Sequence, residues 1–232
     1  MKVLGIETSG LVGSVALCED SSTLEERSFD RGMRHGKALV SSLEDMFKSL
    51  GVEPDEIGLI AVSSGPGSYT GLRVGIACAK AMAYTLGKPL VAVSTLDVLA
   101  ENAPTNETTV CPVLDARREQ VYARIYKRSG ALWRRSSGLM VIYPRKLLEL
   151  LPRPLLIFGD GAAKYREVFA VDGVTFGGGE MGMGRASAVA RLGRAAFERG
   201  EIIDPYRLQP LYMRVPEAEE KWEAHRKGSG ST

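Results

Sequence analysis

Residues 63–75, Ser-Ser-Gly-Pro-Gly-Ser-Tyr-Thr-Gly-Leu-Arg-Val-Gly, have the composition of a loop that holds an anion. They join a predicted strand to a predicted helix, and the free N–H groups at a helix start attract phosphate or carboxylate. A tight turn capped by Ser68 or Thr70 is the alternative. The segment is not a Walker A loop, because no Gly-Lys-Ser/Thr follows. It is not a dinucleotide fingerprint, because Thr70 stands at the third glycine position.

Candidates for acid–base chemistry are four carboxylates that each follow or cap a predicted element, so that structural roles stay equally open: Glu7, Asp97, Asp115 and Asp160. Nucleophilic and metal chemistry have less support. The chain has two histidines, His35 and His225, and three dispersed cysteines, which argues against a zinc site. His35 stands at the start of a predicted helix, where a surface or capping role fits better than that of a catalytic base.

Two further segments have alternative interpretations. Gly177, Gly179 and Gly182 spell GxGxxG, but too few residues follow for a complete βαβ unit, and a flexible glycine loop is favoured. Residues 117–135 are rich in arginine and lysine with interleaved aromatic side chains, a combination that can contact RNA. Such charges are also typical of a solvated strand pair that resists edge pairing.

The elements that position these residues alternate between strands and helices. A β-meander over residues 2–30 precedes a helix over 35–50, a buried strand over 57–64 and a helix over 72–86. Further strands and helices follow, including a helix over 185–199. The pattern predicts an α/β protein with mixed sheets covered by helices. A polar segment at 103–109 predicts lobes over 1–103 and 104–222, followed by a disordered tail over 223–232.

The composition excludes several classes of protein. The chain has 232 residues, 44% hydrophobic and 25% charged, with a net charge of +2, so it is neither a polybasic arm nor an acidic tail. Few cysteines indicate a reducing, cytoplasmic setting. No apolar run resembles a signal peptide or approaches the ~20 residues of a membrane helix.

Several motifs carry a family resemblance. Residues 3–9 and 14–17 resemble the first hairpin of the two-lobed actin/hexokinase/Hsp70 superfamily. Residues 65–75 resemble the signature of the TsaB (YeaZ) family, and residues 93–96, 114–117 and 210–214 are similar to its later landmarks in the same order. The resemblance spans about residues 1–222. It implies a two-lobed actin-like fold (ASKHA, ribonuclease H-like).

The resemblance also implies a role in forming N6-threonylcarbamoyladenosine next to the tRNA anticodon. In that family the TsaB-like protein is a non-catalytic partner without peptidase activity. Its paralogue TsaD carries the metal and the transfer site, and the ATPase TsaE joins them. ATP or ADP and metal therefore belong to the partner proteins, no cofactor or metal is expected on this chain, and tRNA is met through the complex.

The predicted partner interface lies on the helices over 35–50 and 71–86, which would form a heterodimer with TsaD or a homodimer when the chain is alone. Small residues at four-residue spacing allow close helix approach. A charged residue at Gly75 or Ala79 is expected to block pairing without disturbing the fold. The interface residues are His35, Leu39, Leu43, Phe47, Gly71, Leu72, Gly75, Ile76, Ala79 and Ala83.

The resemblance places the paralogue's two metal-binding histidines at Thr95 and Leu99, neither of which can replace an imidazole. Asp115 puts a carboxylate where a second phosphate hairpin would hold phosphate. A vestigial nucleotide or anion site is therefore expected at Glu7, Thr8, Gly65, Gly67, Ser68, Thr70, Asp115, Gly159 and Gly161. The alternative function is a small-molecule phosphotransferase of the same fold that uses Glu7, Asp115 and the loop at residues 65–71.

Overall fold

The structure is a computed structural model that describes residues 1–20, 22–30 and 35–211, with the side chain of His35 left out. The tail predicted over 223–232 and His225 lie outside the described residues. Of the helices within these ranges, none combines the length and the apolar character that crossing a membrane requires.

The first sheet has the strand order β3-β2-β1-β4-β5. Its first three strands form an antiparallel meander, and β4 and β5 run parallel to β1. This order confirms the ribonuclease H-like lobe that the resemblance implied. The strands are β1 (Lys2–Glu7), β2 (Val12–Glu19), β3 (Ser22–Asp30), β4 (Ile57–Gly65) and β5 (Leu90–Ser94).

Helices cover both faces of this sheet because successive strand residues point to opposite sides. On one face Leu4 and Ile6 of β1 pack with α1 (His35–Leu50) and α2 (Tyr69–Leu86). On the other face Val3 packs with α7 (Ala186–Glu198). A Cβ on Gly5 would collide with the carbonyl oxygen of Ala186, so only glycine lets α7 lie this close to β1.

The second sheet has the order β10-β7-β6-β11-β12, and β8 and β9 extend it from β6. Helices α4 (Pro144–Leu150), α5 (Asp160–Lys164) and α6 (Arg166–Phe169) pack near it. Its strands are β6 (Thr109–Asp115), β7 (Val121–Ala123), β8 (Tyr126–Ser129), β9 (Leu132–Arg135), β10 (Met140–Ile142), β11 (Leu155–Phe158) and β12 (Val174–Phe176).

Two helices cross the predicted boundary between the lobes. Helix α3 (Thr95–Ala100) precedes residue 103 but packs Leu96 and Leu99 against Tyr126 and Phe158 of the second sheet. Helix α7 follows the second sheet but covers the first. Lobe limits at 1–103 and 104–222 stay a prediction, with the correction that each segment supplies a helix to the sheet of the other.

The tight contact between β1 and α7 yields a stability prediction. We expect Gly5→Ala to lower the free energy of unfolding by more than about 2 kcal/mol, because its methyl group meets backbone that cannot move cheaply. Gly36→Ala in α1 meets no atom within 4 Å and should change it by less than about 1 kcal/mol. Urea unfolding of both variants measures this, and equal stabilities would contradict the packing argument.

Candidate functional site

The first hairpin turn lies at the edge where the parallel strands β1 and β4 end, the usual position of ligand sites in α/β sheets. Glu7 is fully buried, and its Oε1 accepts a hydrogen bond from the Ser9 N–H at 2.5 Å. The Thr8 N–H lies 3.5 Å from the Ser63 hydroxyl of β4. A Cβ on Gly75 of α2 would collide with the Thr8 hydroxyl. The turn is thus held by β4 and α2.

The loop over residues 65–71 meets this turn through Gly67 and Ser68. The Ser68 N–H donates to the Ser9 carbonyl at 2.8 Å, and a Cβ on Gly67 would lie 2.6 Å from that oxygen. Ser68 also caps α2, because its hydroxyl accepts from the Gly71 N–H at 3.3 Å. Of the two capping residues proposed from the sequence, the structure therefore uses Ser68. Thr70 is exposed in the first turn of α2, and Gly65 contacts Leu72 and Leu211 rather than the hairpin.

Asp115, at the second hairpin, is engaged by its own neighbours. Its Oδ1 accepts from the Arg117 N–H at 3.0 Å and its Oδ2 from Lys164 Nζ at 2.9 Å. The hydrogen bond to Asp115 raises the pKa of Lys164. The Asp115 N–H donates to Asp160 Oδ1 at 2.9 Å, so both carboxylates hold the hairpin to α5. Their oxygen atoms occupy the turn with contacts inside the chain.

Gly159 and Gly161 have structural reasons to be glycine. Gly159 has φ of +106°, and a Cβ there would collide with the Val113 carbonyl. A Cβ on Gly161 would lie 2.7 Å from the carbonyl carbon of Leu114. The segment between β11 and α5 therefore passes directly against β6, and close packing alone accounts for both glycines.

Residues 177–184, here called the glycine strap, join the two groups of candidate site residues. A Cβ on Gly182 would lie 2.9 Å from the Gly159 Cα, and a Cβ on Gly184 would lie 2.9 Å from Glu7 Oε2. Asn102 Nδ2 donates to the carbonyls of Met181, at 3.1 Å, and Met183, at 2.7 Å. The strap thus occupies the space between the first hairpin and the turn at Gly159.

The sequence interpretation of the strap missed this placement. It correctly rejected a dinucleotide fold, since within the described residues no strand follows α7. It identified a glycine loop but did not foresee that the loop would contact Glu7 and Gly159. The available signal was the glycine density itself, because chain that passes this close to a buried carboxylate and to another backbone has no room for side chains.

The positions of the paralogue's metal ligands lie inside the protein. Thr95 begins α3 and is buried, and Leu99 packs in the apolar cluster beneath the second sheet. A leucine side chain has no donor atom for a metal. Within the described ranges, no group of three or more histidine, cysteine, aspartate or glutamate side chains is placed to hold a metal ion.

Comparisons with known proteins agree with this arrangement. The family model described as TsaD, tRNA N6-adenosine threonylcarbamoyltransferase, matches residues 31–188. The Bacillus subtilis tRNA threonylcarbamoyladenosine biosynthesis protein TsaB is 30% identical over 96% of this chain and 98% of its own length. The chain belongs to the TsaB family.

Other TsaB-family proteins extend the likeness. The Escherichia coli TsaB protein is 26% identical over 92% of this chain and 95% of its own. The solved structure of YeaZ from Pseudomonas aeruginosa superposes with a TM-score of 0.80 at 25% identity, over 91% of this chain and 100% of that one. The family and the two-lobed fold inferred from the motifs are thereby confirmed.

The TsaB-type partner helices require a correction. The side chains chosen from the sequence face inward: Leu39, Leu43 and Ile76 belong to the core cluster below α1 and α2, with Phe47 packed against it. The remaining chosen residues of α2 are also buried, namely Gly71, Leu72, Gly75, Ala79 and Ala83. For the buried residues these interface assignments are wrong, because small side chains let α2 lie close to its own sheet and to Thr8. For Phe47, which is only partly buried, the assignment stays a prediction. His35 lies outside the described side chains.

The same correction applies to the expected effect of charged substitutions in this TsaB-family chain. Ala79 is fully buried, and Gly75 has no space for a Cβ, so a charge at either position would disrupt the fold itself. The exposed residues of the two helices include Val40 on α1 and Ala77, Ala81 and Tyr84 on α2, beside charged residues such as Asp45, Lys48 and Arg73. Whether a partner binds there stays a prediction.

From the sequence, Asp97 could serve either acid–base chemistry or structure, and in this TsaB-family protein it has a structural role. Its Oδ1 accepts from Arg124 Nη1 at 3.0 Å, from the Tyr126 hydroxyl at 2.6 Å and from Arg135 Nε at 3.1 Å. Burial, and then the charge of Asp97, raises the pKa of Tyr126, which stays protonated as a donor. Asp97 therefore ties α3 to β7–β9 of the second sheet.

The Asp97 cluster yields a second stability prediction. We expect Asp97→Asn to lower the free energy of unfolding by about 2–4 kcal/mol, because Arg124, with only 11% of its side chain exposed, loses its counter-charge. Asp20 is the matched control, since it is exposed and also meets two cations, the N-terminus and Arg194. Asp20→Asn should lower the free energy of unfolding much less, because water screens the charges of an exposed pair. Urea unfolding compares the two variants. Equal decreases in the free energy of unfolding would show that the buried Asp97 cluster stabilises the fold no more than an exposed ion pair does.

Proposed function

We propose that this chain is a non-catalytic accessory subunit of the assembly that forms N6-threonylcarbamoyladenosine next to the tRNA anticodon. The observation that carries the proposal is the glycine strap in the cleft. A ligand phosphate between the first hairpin and Gly159 would need the space that Gly182 and Gly184 fill. Membership of the TsaB family supports the pathway, since the curated relatives are named for this biosynthesis.

The accessory role is supported by the residues at the positions expected for catalysis. Leu99 offers no metal donor, and Asp115 and Asp160 present carboxylates where a nucleotide phosphate would lie. Metal, ATP or ADP and the transfer step accordingly belong to the partner proteins in this proposal, and the chain itself needs no cofactor. The proposed partners are a TsaD-type transferase and a TsaE-type ATPase that the pair recruits.

The exposed face of α1 and α2 is the proposed surface for the TsaD-type paralogue. Ala77 and Ala81 lie one turn apart on α2 and present little side chain, which favours close helix approach. Tyr84, 67% exposed, lies beside them and meets Tyr206 edge-on at 5.6 Å between ring centroids. When the partner is absent, the same face is proposed to form a homodimer.

A reconstitution tests the function. The purified chain should show no threonylcarbamoyl transfer to tRNA by itself, and it should raise transfer by at least tenfold when mixed with its TsaD-type and TsaE-type partners and the threonylcarbamoyl-adenylate. Modified nucleoside, measured by mass spectrometry, gives the readout. Robust transfer by the chain alone would contradict the accessory role.

Calorimetric titration of the full chain with ATP and magnesium distinguishes the accessory role from the alternative, a small-molecule phosphotransferase. The strap leads us to expect no binding at micromolar nucleotide. Micromolar affinity accompanied by phosphoryl transfer to a small acceptor would favour the alternative and remove the proposal.

The partner face yields a prediction with a matched control. We expect Ala77→Asp/Ala81→Asp to weaken pairing with the TsaD-type protein at least tenfold, because two buried carboxylates would lack counter-charges in the interface. Ala170→Asp, at another exposed alanine, should leave pairing unchanged. Analytical ultracentrifugation measures complex formation, and circular dichroism checks the fold. Pairing that survives the double substitution would place the interface elsewhere.

A further inference from the structure

Positive charge is concentrated in one stretch of an otherwise acidic chain. Residues 120–148 contain no aspartate or glutamate and seven cations. Because the whole chain carries +2 and this stretch +7, the remaining residues together carry −5. The net charge is thus unevenly distributed along the sequence, although Arg124 and Arg135 pair with Asp97 and Lys146 pairs with Glu149 in the structure. The seven cations are Arg124, Lys127, Arg128, Arg134, Arg135, Arg145 and Lys146.

The β8–β9 hairpin turns part of this charge outward. Lys127 pairs directly with Arg134 across the two antiparallel strands, so both side chains share one face, and both are exposed. Like charges opposite each other in a sheet destabilise it. Neither cation forms an ion pair with any residue in the part of the chain that the structure describes. Among the residues that the structure describes, the repulsion between these two cations is therefore not offset by an ion pair.

The opposite face of the hairpin holds these two cations in place. The Arg128 guanidinium stacks 4.1 Å over the Trp133 ring and donates to the carbonyls of Glu107, at 3.1 Å, and Pro104, at 3.2 Å. Arg135 is fixed by Asp97. The hairpin is therefore anchored on one side to the 104–108 segment and to α3, and it presents Lys127 and Arg134 on the other.

We infer that the outward face of the β8–β9 hairpin is an RNA-contacting surface, with Lys127 and Arg134 binding backbone phosphates. Lys127 and Arg134 lie side by side without an ion-pair partner among the described residues. Adjacent phosphates of a nucleic acid backbone would supply one negative charge for each of them. Leu132, 57% exposed near the hairpin turn, offers an apolar contact beside them. The choice of RNA over other polyanions rests on the proposed function, in which the chain takes part in tRNA modification.

Protection of an edge strand is the competing explanation. β9 pairs only with β8 among the described strands, and charged side chains at such an edge discourage association with other sheets. Cations in β9 itself, Arg134 and Arg135, fit that role. It does not by itself account for Lys127 on the neighbouring strand β8, which lies directly opposite Arg134.

The test measures binding of the full-length chain to a fluorescently labelled, unmodified tRNA transcript by anisotropy between 50 and 200 mM KCl (about the range over which counterion release is resolved). Removing two phosphate contacts in Lys127→Ala/Arg134→Ala should reduce the slope of log K against log salt by roughly 1.4–1.8 and weaken binding at least about tenfold at the lowest salt. Lys48→Ala/Arg207→Ala removes the same charge from exposed sites outside the stretch and should change the slope little.

Several results would overturn the inference. They are equal slopes for the two double variants, no binding of the transcript by the unaltered chain at the lowest salt, and binding of phosphatidylglycerol vesicles in preference to RNA. Self-association of Lys127→Ala/Arg134→Ala in sedimentation, with RNA binding unchanged, would assign the cations to edge protection. The readout is independent of transfer activity, so a failed reconstitution with intact RNA binding would remove the proposed function and leave this surface.

Discussion

The contact of α7 with β1 is the constraint on which much of this structure depends. The alternation of side chains in β1 gives the first sheet two apolar faces, and α1 with α2 can cover only one of them. The helix that covers the other face, α7, follows the strands of the second sheet in the sequence. The chain must therefore return from β12 to the first sheet, and the glycine strap is the connection by which it does so. The strap's path past Gly159 and Glu7 follows from this requirement.

This return path explains why the chain itself occupies the space between the first hairpin and the turn at Gly159. The carboxyl ends of β1 and β4 still meet at one edge, and the loop after β4 still begins a helix. What differs is the use of each group. Ser68 caps α2, Glu7 accepts from Ser9, and Asp115 with Asp160 fixes a hairpin. These four side chains are engaged by the protein itself.

Periodicity and local turn chemistry made the larger elements predictable. The spacing of Leu39, Leu43 and Met46 identified α1 as a helix, and the glycine-rich turn before α2 limited its cap to Ser68 or Thr70, of which the structure uses Ser68. Short elements were missed, including α5, α6, β9 and β12, because three to five residues carry no clear period. The outward side of α2 was misjudged because glycine and alanine suit a close contact with the chain's own sheet as well as with a partner. The strap was not predicted to fill the cleft because that depends on contacts far apart in sequence.

The exchange of helices between the sheets has a consequence for how the protein is made. The Ser14 hydroxyl accepts from the N–H of Ala186, 172 residues later in the chain. During synthesis the first sheet therefore emerges with one apolar face bare, and it stays so until nearly the whole described chain has left the ribosome. Contacts between residues so far apart in sequence slow folding, and they prolong the time for which apolar surface is exposed. We therefore expect a fragment ending near residue 103, which lacks α7, not to form the first sheet stably by itself.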